Sequence, residues 1–67
     1  MSPAELGKRD GERWARRVRV ATGLQAAHAC GEWHFRRVEQ GKTKASQVVE
    51  YGQAFVDAAC ATLDGAK

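Results

Sequence analysis

The side chains of this chain that could bind a soft metal ion are two histidines and two cysteines, His28, Cys30, His34 and Cys60. Cys30 and His34 are four residues apart, so they would share one face of a helix, and Cys60 could approach them from another element. His28 would lie far round the same helix from Cys30. A structural zinc site usually needs four convergent ligands, often in paired motifs that this sequence lacks. We therefore expect packed thiols, a packed histidine and no metal cofactor.

Nucleophilic catalysis is the other chemistry that a cysteine and a histidine could support. The sequence contains no motif that would supply oxyanion donors or a cleft around such a pair. The seven glycines are spread singly along the chain, so no phosphate-binding glycine loop is present. We expect a protein that is not an enzyme and has no catalytic residues.

Arginine is the functional residue type that is most concentrated in one part of the sequence, the N-terminal third. Residues 1–22 contain six Lys/Arg against three Asp/Glu, whereas residues 43–67 contain two against three. Guanidinium groups bind carboxylates and phosphates through planar, bidentate hydrogen bonds. The first helix is therefore predicted to contact an acidic protein surface or nucleic acid. The alternative is a solvated face that pairs with Asp10, Glu12 or an acidic stripe elsewhere in the chain.

Two tryptophans, Trp14 and Trp33, are close in sequence to these and other arginines. Tryptophan and arginine are enriched among the residues that dominate binding energy at protein interfaces, and tryptophan also stacks on nucleic-acid bases. Burial of each ring between helices is the alternative. The predicted partner-binding residues are Arg9, Arg13, Trp14, Arg16, Arg17, Arg19, Trp33 and Arg37.

The segment 43–64 is the clearest helix. Thr43 would cap its start and Gly65 would lie just beyond its end. Its apolar positions follow the helical period rather than a strand period. The residues on that face are Ala45, Val48, Val49, Gly52, Phe55, Val56, Ala59, Cys60 and Leu63. The opposite side carries an acidic stripe of Glu50, Asp57 and Asp64 at seven-residue intervals.

The first helix is predicted to span 3–22. Ser2, Pro3 and Glu5 form a helix-start signature. One seam then repeats at spacings of three and four through Ala4, Gly7, Gly11, Trp14, Val18 and Ala21. Gly7 and Gly11 permit two interpretations: a broken first turn, with the helix starting at Asp10, or a place where a second backbone approaches closely.

The second helix is predicted to span 24–40, after a corner at Thr22-Gly23 and before a stop at Gly41. The pattern gives it an apolar face of Leu24, Ala27, Cys30, Gly31, His34, Phe35 and Val38. Trp33 falls away from that face, beside Ala26, Ala29 and Arg37. The alternative is a short strand around 32–39, which would make the fold α+β.

A chain of 67 residues with a net charge of +3 is one domain at most. We predict an all-α, three-helix bundle over 1–67, in which the basic helix (3–22) packs on a helical hairpin (24–64). So small a core contributes only about 3–5 kcal/mol, so a second copy or a larger partner would add stability. No apolar run spans a membrane and no signal-peptide core is present, which favours a cytoplasmic protein without membrane contact.

The function expected from these features is binding. A small protein with an Arg-rich, Trp-anchored helix would bind and modulate a larger protein or complex, and small accessory and inhibitor proteins, including phage-encoded ones, fit this description. The alternative is a nucleic-acid-binding module that contacts phosphates through the same first helix with little sequence preference. The last helix is too acidic for a recognition helix in the major groove.

Overall fold

Three helices form the part of the chain that the computed structural model describes, residues 1–65. Helix α1 spans Pro3–Val18, α2 spans Gly23–Glu39 and α3 spans Val48–Gly65, with a 3-10 turn at Ala45–Gln47 leading into α3. No strand occurs within 1–65. The predicted all-α three-helix bundle is therefore confirmed, and the alternative with a strand around 32–39 is wrong.

The closest approach in the bundle is between α1 and α3. A Cβ atom added to Gly7 would lie 2.3 Å from the carbonyl oxygen of Tyr51, and one added to Gly11 would lie 2.3 Å from that of Phe55. The contacts advance four residues in both helices, so α1 and α3 run parallel. Gly7 and Gly11 thus lie inside α1, and their role is to admit the backbone of α3.

Helix α2 runs antiparallel to the other two and covers the seam between them. Its last turns contact the first halves of α1 and α3, while Ala26 in its second turn packs near the end of α3. The first cluster of buried apolar residues contains Leu6, Ala29, Tyr51 and Phe55. The second contains Ala15, Ala26, Ala59 and Leu63. Taken over the described chain, each helix is too short or too polar to cross a bilayer.

The first helix ends four residues earlier than predicted, at Val18 instead of 22. Arg19 has a φ of 67°, and its N–H donates to the carbonyl of Ala15, which closes the helix. Thr22 is the N-cap of the next helix. Its Oγ1 accepts from the Gln25 N–H at 3.2 Å, and the Gln25 Oε1 accepts from the Thr22 N–H at 2.9 Å. This reciprocal capping box fixes the start of α2.

The ends of the third helix also differ from the prediction. Thr43 does not cap it; the Thr43 hydroxyl donates to Oε1 of Gln47 at 3.0 Å, and the Lys44 N–H donates to the same oxygen at 3.0 Å. These bonds hold the 3-10 turn, so α3 starts at Val48. Gly65 is still helical and is the last residue described, so it does not lie beyond the helix.

The predicted apolar face of α2 is wrong in most of its members. Leu24, Ala27, Gly31 and Phe35 face outward, while Ala26, Ala29 and His34 are buried. Alanines allow α2 to lie close to the other helices, and Trp33 packs on their core from the same side. The bulkier apolar residues are therefore left on the surface, where Leu24 is 83% exposed and Phe35 is 66% exposed.

Candidate protein-interaction site

The outer side of α1 carries an exposed arginine face, which we define as Arg9, Arg13, Arg16 and Arg17. The Gly7 and Gly11 side of α1 is used against α3, so residues about half a turn away from it point to solvent. Arg19 follows directly after the helix and is exposed as well. Five of the arginines predicted to bind a partner are therefore exposed on α1 or directly after it, and their role in binding stays a prediction.

Within residues 1–65, Arg16 is the one member of the arginine face that forms an ion pair. Arg16 approaches Glu12, with Nη2 and Oε2 3.9 Å apart, and a pair this long and exposed contributes little to stability. Within 1–65, no ion pair involves Arg9, Arg13, Arg17 or Arg19. The predicted alternative, pairing with Asp10 or Glu12, is thus seen for Arg16 with Glu12 and as a charge interaction of Arg13 with Asp10, whereas Arg9 and Arg17 form no ion pair with a described residue.

Trp14 lies partly in the core and partly at the surface. Its ring centroid is 5.9 Å from that of Phe55, with the planes tilted by 43°. The exposed part lines an open groove of about 440 Å³ together with Leu24, Gln25 and His28 of α2. Trp14 therefore joins the core to a surface that adjoins the start of α2.

Trp33 and Arg37 are engaged inside the bundle. The Trp33 ring centroid lies 6.0 Å from that of Phe55, and Cζ of Arg37 lies 5.6 Å from the Trp33 centroid. The Arg37 side chain is only 13% exposed. The structure does not bring these two predicted partner-binding residues together with the arginine face, so they are not part of the surface proposed below.

Arg37 belongs to a buried polar network that joins all three helices. Its Nε donates to Oδ2 of Asp10 at 2.8 Å and its Nη2 donates to Oδ1 at 2.9 Å. The Tyr51 hydroxyl donates to Oδ2 of Asp10 at 2.5 Å, and Nη1 of Arg37 donates to Oε1 of Gln40 at 2.8 Å. Asp10 is 2% exposed, so a carboxylate that would be costly to bury alone is fully paired.

The network shifts the pKa values of its members. Burial would raise the pKa of Asp10, but the hydrogen bonds from Arg37 and Tyr51 and the charges of Arg37 and Arg13 outweigh it, so the pKa is lowered. The hydrogen bond to Asp10 raises the pKa of Arg37. Burial, followed by the hydrogen bond to Asp10, raises the pKa of the Tyr51 hydroxyl. At neutral pH the network therefore consists of a carboxylate, a guanidinium and a neutral phenol.

Sequence reasoning did not find this network. The helical pattern places Tyr51 on neither face of the third helix, and it gives Asp10 only the role of a helix start or of a surface partner for arginines. The available signal was position: Asp10 is one residue before Gly11 in the tightly packed seam, and Tyr51 is four residues before Phe55. A pairing across 27 or 41 residues of sequence leaves no local pattern.

The two cysteines and the buried His34 do not come together as one cluster. His34 is buried with its ring centroid 5.1 Å from that of Tyr51, and its Nε2 has no hydrogen-bond partner among residues 1–65. Cys30 donates to the Ala27 carbonyl at 3.0 Å, and burial raises the pKa of its thiol, which lowers its thiolate fraction. Both cysteines are free. Across residues 1–65, no three His, Cys, Asp or Glu side chains converge in a way that could hold a metal ion.

A second open groove, of about 450 Å³, follows the contact of α1 with α3. Its floor is made of Ala4, Ala54 and Ala58, and Glu5, Lys8 and Asp57 lie along its rim. The acidic stripe of α3 is exposed as predicted, on Glu50, Asp57 and Asp64. The molecule therefore presents a basic side on α1 and an acidic side on α3.

Comparison of the chain with known proteins finds no matching family, no similar curated protein and no similar solved structure. The functional assignment therefore rests on the residues and their geometry.

Proposed function

We propose that this chain is a non-enzymatic binding protein that docks on an acidic patch of a larger protein through the arginine face of α1 and modulates that protein by covering the patch. The observation that carries this proposal is that Arg9, Arg13 and Arg17 are exposed on one helix and form no ion pair with any residue of 1–65. A helix holds the guanidinium groups at fixed spacing, so their bidentate hydrogen bonds to carboxylates lose less conformational entropy.

Apolar residues beside the arginine face favour a protein partner over nucleic acid. Val20 is 88% exposed and Leu24 is 83% exposed, and Leu24 lines a groove with the exposed part of Trp14. Protein interfaces combine such an apolar centre with a polar rim. Glu5 and Glu12 also border the arginine face, and carboxylates at these positions would repel a continuous phosphate backbone.

The test compares two variants that have the same net charge. Arg9→Glu/Arg13→Glu/Arg17→Glu reverses the arginine face, and Arg36→Glu/Lys42→Glu/Lys44→Glu reverses exposed charges elsewhere. Each is used as bait, beside the wild type, in pull-downs from nuclease-treated lysate of the native host. We expect the wild type and the control variant to capture the same protein and the arginine-face variant to lose it. Equal capture by all three would contradict the proposal.

Nucleic-acid binding by the same arginines is the second candidate function, and its signature is salt dependence. If phosphates are the ligand, the affinity for a mixed-sequence duplex DNA or RNA probe falls steeply as salt rises, because counterions are released from the nucleic acid. Under our proposal such a probe binds weakly. The affinity for the captured protein falls less as salt rises, because apolar contacts contribute to that complex. If the wild type binds the duplex tightly and the arginine-face variant does not, nucleic-acid binding becomes the better-supported function.

A further inference from the structure

The open groove of about 440 Å³ beside Trp14 lies between α1 and the first half of α2, and we call it the α1–α2 groove. Trp14 forms the α1 wall, and Leu24, His28 and Ala29 line the α2 wall. Trp14 is half-buried and Leu24 is 83% exposed, so the groove presents large apolar side chains to solvent. Apolar surface that is rimmed by charged residues marks an interaction site.

The α1 rim of this groove is basic. Arg17 is three residues after Trp14, so it lies beside the ring on the surface of α1. Arg13 lies on the same flank, close enough for its charge to act on Asp10, which is hydrogen-bonded to Arg37 of α2. Neither Arg13 nor Arg17 forms an ion pair with a residue of 1–65. A carboxylate on an occupant of the groove would therefore be attracted to this rim.

The α2 rim has the opposite charge. Glu32 is one turn after His28 and lines the far end of the groove. Its Oε1 is 3.2 Å from Nε2 of His28, and both side chains are exposed. An acid placed against this rim would be repelled. The charges therefore favour an occupant that is acidic on the flank facing α1 and not on the flank facing α2.

We propose that the α1–α2 groove binds an amphipathic helix of the target protein, with an apolar side chain inserted between Trp14 and Leu24 and with carboxylates paired to Arg13 and Arg17. This inference rests on the proposed function, since it names the segment of the target that meets the arginine face. It adds a requirement that an acidic patch alone does not meet, because the segment must also carry an apolar anchor.

The walls of the groove favour a helical occupant over an extended one. Both walls are helices, and beyond the first turn of α2 their backbone groups are paired within each helix. An extended segment would bury backbone groups without partners, whereas a helix pairs its own. Leu24, His28 and Glu32 follow one another at intervals of four residues, so the groove extends about 12 Å along α2, the length of roughly two helical turns.

The core behind Trp14 prepares it to act as the anchor contact. Its ring centroid is 5.9 Å from that of the buried Phe55, which holds the inner part of the ring in place. A contact on a side chain that is already fixed loses little conformational entropy on binding. A central tryptophan with arginines at its rim is also the composition of an interface that a few residues dominate.

Peptide selection on the intact chain tests which segments the groove accepts. A phage-displayed library of random peptides of about 16 residues, long enough to form a helix, is selected on the immobilised wild type. We expect the enriched sequences to combine a large apolar residue with two Asp or Glu residues at helical spacing on one flank. Enriched acidic sequences without an apolar residue, enriched apolar sequences without acids, or no enrichment would each overturn the inference.

Two variants with the same change of charge then locate the bound peptide. Arg13→Gln/Arg17→Gln removes the arginines beside the groove, and Arg9→Gln/Arg16→Gln removes those further round α1 from Trp14. We expect the dissociation constant of the most enriched peptide to rise about tenfold in the first variant and at most about twofold in the second. Equal losses in the two variants would contradict binding in the groove.

A matched pair of substitutions tests the apolar contact. Leu24→Ser removes it, and Val49→Ser is the control, because Leu24 and Val49 are each the exposed second residue of a helix. We expect the dissociation constant to rise about tenfold in Leu24→Ser and to stay unchanged in Val49→Ser, with both folds unchanged by circular dichroism. Unchanged affinity in Leu24→Ser would overturn the groove alone. Host-protein capture that survives reversal of the arginine face would instead refute the proposed function.

Discussion

Asp10 is the residue on which the interior depends most. It accepts two hydrogen bonds from Arg37 and one from Tyr51, so its charge is balanced although it is 2% exposed. Each donor comes from a different helix. An apolar interior would hold these helices together but would tolerate some sliding, whereas fixed bond geometry at one carboxylate sets their relative positions.

Removal of the Tyr51 hydroxyl tests one bond of this network. Tyr51→Phe keeps the ring in the core and deletes one donor, so we expect the free energy of unfolding to fall by about 1–2 kcal/mol. Asp10→Asn should cost more, about 3 kcal/mol, because it leaves the Arg37 guanidinium without its counter-charge. Urea denaturation of the three proteins measures both differences. Equal stability of Tyr51→Phe and the wild type would show that the hydroxyl contributes nothing.

The network also predicts how stability depends on pH. The folded pKa of Asp10 is below its ordinary value of 3.8, so its stabilising contribution is present above that pH and is lost as pH falls through the lower folded value. The folded pKa of Tyr51 is above its ordinary value of 10.0, so its contribution is present below that pH and is lost as pH rises beyond it. Unfolding free energy should therefore be highest between these limits.

Variants separate the two limbs of this pH profile. Denaturation at a series of pH values should show a weaker acid loss in Asp10→Asn, because no carboxylate titrates at that position. The alkaline loss should be weaker in Tyr51→Phe, because no phenol titrates. An acid limb that is the same in Asp10→Asn and the wild type would assign the loss to other carboxylates.

At the scale of elements, the pairing of α1 with α3 depends on the absence of side chains at Gly7 and Gly11. Both positions lie against carbonyl oxygens of α3 at distances that no Cβ atom could occupy. Each glycine destabilises helix α1 by about 1 kcal/mol relative to alanine. The van der Waals contact between the two closely packed backbones offsets this cost.

Substitution of these glycines distinguishes packing from helix propensity. Gly7→Ala and Gly11→Ala should each destabilise the fold by about 1–3 kcal/mol, because α3 must move away. Gly31→Ala is the matched control, since the space around Gly31 is open, and should stabilise the monomer by about 0.5–1 kcal/mol through helix propensity. Thermal unfolding measures all three. A stabilising Gly11→Ala would contradict the close approach.

For the whole molecule, three faces have distinct characters. The α1 side is basic, the α3 side is acidic, and the outer side of α2 is apolar along one seam. A small bundle in which each helix shows one face to solvent can in this way present a different chemistry on each of three sides. The buried network keeps these faces in fixed relation, because it ties one residue of each helix to the others.

The helices and the arginine face could be predicted from the sequence, because both follow from local spacing. Pro3 and Glu5 mark the start of α1, and Arg9 and Arg13 share a face at an interval of four residues. The inward face of α2 could not be predicted in this way. Periodicity favoured Leu24 and Phe35 over the small Ala26 and Ala29, but the close packing of the bundle needed the small residues.

The sequence by itself determined an all-helical chain with its positive charge on the first helix, because capping, helical period and charge order depend on neighbours a few residues away. Only the tertiary structure decided that Gly7 admits the backbone of α3, that Asp10, Arg37 and Tyr51 form one network, and that Phe35 faces outward. The physical reason is that burial and pairing depend on what other helices place beside a residue, and periodicity within one helix carries no information about them.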